Sequence, residues 1–444
     1  MKLSFYLIVI ASIYSTHLQA EAREGIIDIY QKALSKDAVI AAQRAATKAG
    51  EEKETQGFSL LMPSINASAN INYQYSKNDY DDNASIPDSS STSDSSNINL
   101  NLTQPLFRLA NKSSYAQSKI TNNQSQLQLL IAEQNLILRV AKAYFDILSA
   151  NESLAVAKSQ TLAFKENLER AKLTFKVGTA TKTDKLEAQA RYDLTRASEL
   201  SAQNQLAIAQ QTLASIIGES PEILKSLRKD EQLLNVDPKN MQHWVDSALT
   251  NNLNLKLSHS GVKISQLEIK KLKNDRMPAI DLIASAGLSK LYINQFKTDN
   301  INTNASIGLQ LSVPLYTGGL MTSRIREAES LRTQQKFTHT DTQRQIILQT
   351  QQAYLTALNG FQQVEALKQA SISSESALEA TRKGMEVGVR TNLDLLNAQQ
   401  QFYETERDYT VAKYNYLLTV LNLKAAAGSL AEEDINNLNA LLDH

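Results

Sequence analysis

The stretch FKVGTATKTDKLEAQ, residues 175–189, holds Gly178, the only glycine between Pro105 and Gly218 in a run that also lacks proline. Nearly the same text returns 210 residues later as MEVGVRTNLDLLNAQ, residues 385–399, around Gly388. A glycine just past the end of a helix takes the left-handed conformation at little steric cost. Thr181 and Thr391 then stand at N-cap positions, and Asp184 and Asp394 follow three residues on. That is the spacing of a capping box, with Asp in place of Glu. Each stretch therefore reads as a tight reversal between two helices, made twice. Capping alone accounts for both aspartates, so any further role must be argued over it.

The tracts around these reversals are long. Proline occurs at 63, 87, 105, 221, 238, 278 and 314, which leaves 106–220 and 315–444 free of it. Both tracts are rich in Ala, Leu, Gln, Glu, Lys and Arg, the strong helix formers. Leu154, Ala157, Thr161, Phe164, Leu168, Ala171 and Phe175 alternate spacings of three and four, as a coiled-coil seam does. A helix over 107–177 is about 100 Å long at about 1.5 Å per residue. Ordinary globular helices are far shorter, so the architecture is extended.

Four other segments have a period of two. In SINASANINYQYS (64–76), Ile65, Ala67, Ala69, Ile71, Tyr73 and Tyr75 face one way, with Asn, Ser and Gln on the other side. NINLNLT (97–103), AIDLIASAGLS (279–289, with an exception at Ile283) and INTNASIGLQLSV (301–313) behave alike. The strands pair as two hairpins, over about 64–76 with 97–105 and about 279–291 with 301–314. The first hairpin's loop, NDYDDNASIPDSSSTSDSS, is polar and serine-rich and reads as a flexible solvated loop. Tyr73, Tyr75, Tyr292 and Phe296 near strand ends suit either an interfacial aromatic girdle or ordinary hairpin packing.

The whole chain is a tandem duplication. Ala33-Leu34 and Met62-Pro63 recur as Ala248-Leu249 and Met277-Pro278, and Ala143-Tyr144 recurs as Ala353-Tyr354. Each half runs helix, hairpin, long helix, turn, helix. The first repeat spans 21–217, with its turn at 178–183. A linker follows at 218–243, then a second repeat at 244–427, with its turn at 388–391, and a C-terminal segment at 428–444. Trp244 reads as an apolar core anchor where a helix begins. Residues 1–20 give a basic start at Lys2, an apolar run from Leu3 to Ile13, and small residues at Ala20 and Ala22. That is the pattern of a secretory signal peptide.

Composition excludes several classes. Lys and Arg total 46 and Asp and Glu total 46, so no basic field points to nucleic acid. Cysteine is absent, which removes disulfides, thiolate metal sites, cysteine catalysis and a lipidated N-terminal cysteine. The five histidines lack metal-ligand spacing, and no phosphate loop or nucleophile elbow is present. No enzyme, cofactor or metal centre is expected. The hairpins imply membrane contact of a different kind. Four strands cannot span a bilayer alone, because an open sheet leaves unpaired edge groups in hydrocarbon. Several chains must share one barrel: two give eight strands and three give twelve. A soluble four-stranded sheet packed on a helix is the alternative, but its buried face would carry larger residues.

On these features the chain resembles the TolC-type outer-membrane channel proteins of multidrug efflux and type I secretion. The resemblance covers nearly the whole mature chain. It rests on the duplicated plan, SVPLYTGG (312–319), the twin V-G-x-x-T turns and AKYNYLLTVLNLKAAAGSL (412–430). It implies an α+β membrane channel, a homotrimer whose twelve-stranded transmembrane β-barrel takes four strands from each chain. That barrel continues into a long periplasmic α-helical coiled-coil barrel, belted by 218–243 and the C-terminal end. The implied function is a passive exit duct in the outer membrane of a Gram-negative cell. Its partners would be outer-membrane lipid, a periplasmic adaptor and an inner-membrane pump of RND or ABC type. A surface-anchored coiled-coil scaffold or adhesin is the other reading.

The same resemblance assigns sites. Val177, Gly178, Thr181, Val387, Gly388 and Thr391 fall where the adaptor docks. Asp394 matches one of two aspartate rings at a cation-binding entrance, and the other position is Asn397 here. Arg390 would pair with Thr183 and Asp184 of a neighbouring chain to hold the pore shut. A second closing link, made by a tyrosine in the family, falls on Met385.

Overall fold

The computed structural model describes residues 23–79, 89–228, 233, 235–293 and 298–443. The expected signal peptide and Phe296 lie outside them. Two short helices, α1 (Ile26–Lys36) and α2 (Ala38–Ser59), lead into strands β1 (Ser64–Asn78) and β2 (Ser89–Phe107). The 68-residue α3 (Leu109–Lys176) and α4 (Lys182–Ile217) follow. Then α5 (Met241–Asn251), α6 (Leu253–Asn274), β3 (Ala279–Ile293), β4 (Thr298–Ser312), the 67-residue α7 (Leu320–Glu386) and α8 (Asn392–Ala426) repeat the order. The short α9 (Glu432–Asn439) closes the chain.

Each half thus begins with two helices where one was expected. The break is chemical. Asp37 caps α2 by accepting from the Ile40 amide, and Asn252, its counterpart 215 residues on, caps α6 by accepting from Asn254 and Leu255. These side chains compete with the continuing helix for its own amides.

The two hairpins merge into one antiparallel sheet in the order β1-β2-β3-β4. β2 begins at Ser89, well before the expected 97, so the second half of the serine-rich segment is strand rather than loop. Residues 89–96 pair with β1 and need no apolar side chains, because the backbone ladder holds them. At the other end β4 stops at Ser312, before Pro314, which has no N–H to give a ladder. Pro105 is accommodated inside β2 because the register shifts there, between Pro105 and Phe107.

The register sorts the faces. Ile65–Leu102–Ala284–Ile307 and Ala67–Leu100–Ala286–Ala305 form rows across all four strands on one side. These apolar residues lie open on the single chain, with Ile71 at 85% and Ile307 at 75% exposure. Tyr73, Asp94, Tyr292 and Asp299 make the row that ends the apolar band. The opposite side carries Asn, Ser and Thr. At the foot of the sheet Arg108, at the N-cap of α3, donates from Nε and Nη2 to buried Asp281 of β3 at 2.8 and 2.5 Å. That bidentate pair fixes the angle between the sheet and the long helix.

The main core sits halfway down the helices. Leu136, Val140, Tyr144, Phe145 and Leu148 of α3 meet Ile26 and Ile29, Leu213 and Ile217, Tyr414 and Leu421, and Ile435. Main-chain pairing of Glu24 with 223–225 and of 226–228 with 441–443 wraps the outside of this core. The Tyr144 hydroxyl, pushed up in pKa by burial, donates to the Lys225 carbonyl at 2.7 Å. Trp244 is buried in a second cluster with Tyr354 and Leu423, its indole donating to the Pro238 carbonyl. Of the expected seam, Leu154, Phe164, Leu168 and Ala171 are buried, while Phe175 is exposed under Lys185.

Asp37 also receives both Nη groups of Arg139 at 2.9 and 3.0 Å. Burial alone would raise this carboxyl, but the Arg139 and Ile40 bonds hold it below its ordinary 3.8. A depressed folded value stabilises above the unfolded pKa and is lost as pH falls through the folded one. Asp37→Asn keeps the cap but loses the charge. We expect it to melt below the parent at pH 7, and the two melting curves to converge as the pH is lowered from about 4 downward, through the depressed folded pKa. A constant gap across that range in detergent thermal melts would contradict the assignment.

Candidate functional site

The far ends of the long helices, about 100 Å from the sheet at about 1.5 Å per residue, are the two reversals. Both are built alike. The Gly178 amide donates to Phe175 and the Thr179 amide to Thr174, with Gly178 at φ +81°. In the second copy Gly388 donates to Met385 and Val389 to Gly384, with Gly388 at φ +79°. This 5→2 and 6→1 pattern satisfies the last carbonyls of each helix. The next helix starts at once. Asp184 and Asp394 amides donate to the Thr181 and Thr391 hydroxyl oxygens at 3.1 Å, and each carboxylate accepts the threonine's amide and hydroxyl in return. The expected capping boxes are present in full.

Those bonds set the electrostatics. Asp184 and Asp394 are held below the ordinary carboxylate range, first by the threonine amide and then by its hydroxyl. Both are therefore ionised at neutral pH. Only Oδ2 of each is engaged by the cap. Around them Val177, Val387 and Val389 stand open at 72–75% exposure, and nothing lies within 4 Å of a Cβ placed on Gly178 or Gly388. Arg390 and Thr183 are exposed, and among the described residues Arg390 makes no ion pair within its own chain. Arg390 bends back over Gly384, where an added Cβ would come within 2.8 Å of its Cγ. The first copy has Thr174 at that position. The spacing G-x-x-x-G-x-R was the signal available for this, and sequence reasoning passed over it.

The structure also gives Asn397 a job. Its amide oxygen accepts from Arg191 of α4 at 3.1 Å, and Arg191 also donates to Gln400. Below this, buried Asn167 of α3 donates to buried Gln399 of α8. These bonds tie one helical hairpin to the other within the chain. Neither Arg191 nor Asn167 was singled out from the sequence, since a lone Arg or Asn on a long helix usually faces water. His259 and His339 lie side by side across α6 and α7, ring centroids 5.6 Å apart, and burial lowers the His339 pKa. Among the described residues no three His, Cys, Asp or Glu are placed to hold a metal, and no helix is long and apolar enough to cross a membrane.

A sheet apolar on one face and polar on the other, carried on paired helices about 100 Å long, defines a subunit of an outer-membrane channel. The chain belongs to the outer membrane efflux protein family, which matches residues 29–219 and 244–429. It is 30% identical over 424 residues to the outer membrane protein TolC of Vibrio cholerae, covering 94% of this chain and 93% of that one. It is 28% identical to the proteases secretion protein PrtF of Dickeya chrysanthemi, covering 94% and 90%. Among solved structures, the CmeC outer membrane channel of Campylobacter jejuni superposes with a TM-score of 0.77 at 15% identity, over 100% and 95% of the two chains. The protein is thus an outer-membrane exit duct of the kind used in efflux and type I secretion.

Proposed function

We propose that the duct works as a homotrimer that receives cargo from an inner-membrane pump through a periplasmic adaptor. The open sheet carries this reading. β1 and β4 are the two edges and do not pair with each other. Three copies joined edge to edge close a barrel of twelve strands with the apolar rows outward and the polar rows inward. A surface-anchored coiled-coil scaffold has no use for the polar inner face.

The valine-flanked turns suit adaptor docking, since Val177 and Val387 present apolar surface beside glycines with open space around them. Gly178→Pro or Gly388→Pro removes the amide that closes the turn and forbids positive φ. Each should abolish efflux while cross-linked trimers persist at parental levels. Parental drug resistance in both would remove the docking role.

Asp394, ionised and repeated by three-fold symmetry, would form a carboxylate ring at the entrance and favour cations. In planar bilayers under a salt gradient, Asp394→Ala should shift the reversal potential toward zero. An unmoved potential would leave the residue with capping alone.

For the gate, among the described residues Arg390 makes no ion pair within its own chain, its charge lying near Asp394, and the Asp184 cap engages only Oδ2. A charge-assisted bond between neighbouring chains, with Thr183 beside it, would hold the helix ends together three times over. Met385 offers no hydrogen-bond donor for a second link, which leaves closure to Arg390. Single-channel conductance should rise in Arg390→Ala and in Asp184→Ala, and the double variant should gain little more than either. Additive gains would mean that the two residues do not share a link.

A further inference from the structure

The polar face of the sheet has a property that channel membership does not require: it carries no charge across its whole middle. Five consecutive rows run over all four strands, from Ser64–Thr103–Ile283–Gly308 to Asn72–Ser95–Leu291–Asn300. Nine of these positions are asparagine, and none is Asp, Glu, Lys, Arg or His. The side chains lean on one another. Ser285 and Ser306 hydrogen-bond at 2.9 Å, and the Asn99 and Asn304 amide oxygens both close over Gly287, within 2.6 Å of where a Cβ would stand. One acid does lie on this side, Asp281, below the rows. It is buried and bound in bidentate fashion by Arg108. The charges among the strands' outward positions gather at the loop end of the sheet instead, where Lys290, in the row of Ile71 and Ile301, pairs with Asp299 at 3.2 Å and Lys77 pairs with Asp79 at 2.8 Å.

We propose that the barrel section is a charge-blind sleeve, lined by amides and hydroxyls, that passes cargo of either sign without sorting it. The inference rests on the duct reading, in which this face lines the lumen. Selection by sign in a pore comes from rings of charged side chains whose field is focused by low-dielectric walls. Here those rings are missing over five rows. An asparagine amide offers two donors and an acceptor, so it can replace water around a cationic group and an anionic one alike. Threefold repetition multiplies a carboxylate ring but leaves a neutral row neutral. Any preference for cations must then arise outside these five rows, and the helix ends, where Asp184 and Asp394 are ionised, offer one place for it.

The chain has no cysteine, so single thiols report local potential without background. Asn97→Cys and Asn302→Cys place one on either side of Ser289, within a single row. Each is treated in outer-membrane vesicles at low salt with a cationic and an anionic methanethiosulfonate of similar size. Labelling is read by protection from a maleimide gel shift, and each rate is divided by that for a free thiol. A neutral sleeve gives a cation-to-anion ratio within about twofold of one, whereas a charged cleft skews it about tenfold or more. Adding Asn302→Asp to Asn97→Cys should move the ratio several-fold toward the cation. A skew at both positions in the single variants overturns the inference and leaves the duct intact. So does an added carboxylate that changes nothing, since sign would then not be read by lumen charge. No labelling by either reagent would instead place this face away from water, and the duct reading would fail with it.

Discussion

A strand in hydrocarbon must give every backbone N–H and C=O a partner, because no water is there to take one. In this chain β1 and β4 each leave one edge without a neighbour. Everything above and below the membrane follows from closing those edges with other copies. Once a barrel is shared, each chain's strands must enter it at the same tilt, and the Arg108–Asp281 clamp is placed where strand becomes helix to hold that angle. Burying Asp281 is tolerable because the guanidinium meets both of its oxygens.

Below the clamp the problem changes from unpaired edges to length. Helices of 68 and 67 residues cannot be stabilised by local propensity alone and depend on packing against their neighbours. α3 is anchored at mid-length, where α1, α9 and the returning ends of α4 and α8 supply a dense core around Tyr144 and Tyr414. α7 is anchored by the smaller cluster of Tyr354 and Ala357 with Trp244 and Leu423. Gly218 and Gly428 end α4 and α8 there at φ +71° and +72°. Gly428 is pressed so closely on the α5–α6 junction that a Cβ would meet the Asn252 amide nitrogen at 2.6 Å. A glycine is required twice over at that point, once for its φ and once for its size.

Much of this plan was legible in the sequence because it rests on local chemistry. The turns at 178 and 388 carry their own signals, a glycine, then a threonine, then an aspartate, and all three act as their spacing implied. The strand cores were equally plain, since a one-sided barrel writes period two directly into Ile65, Ala67 and Ala69. What escaped was long-range. Ser89–Ser96 looks like linker because serine has no apolar signature, yet backbone pairing with β1 makes it strand. Asp37 and Asn252 look like ordinary polar residues in a helix, and only the folded chain shows that each breaks one. Arg191 reaching Asn397 and Asn167 reaching Gln399 join helices more than 200 residues apart. No pattern on either helix announces such a pair.

The duplication explains why the two reversals are alike in backbone and different in surface. The same pair of main-chain bonds and the same capping box close both, so their shape is fixed by Gly178, Thr181 and Asp184 in one copy and by Gly388, Thr391 and Asp394 in the other. The remaining positions are free to diverge without cost to the turn. Copy one has Thr174 and Ala180, and copy two has Gly384 and Arg390. Those two differences depend on each other, because the arginine's stem lies where a side chain at 384 would be. A substitution at 384 would push the guanidinium off the helix end while leaving the carboxylate of Asp394 in its cap. The shape of the helix ends and the chemistry they present are therefore separable, and the proposed homotrimer would set six reversals of two alternating kinds around one axis.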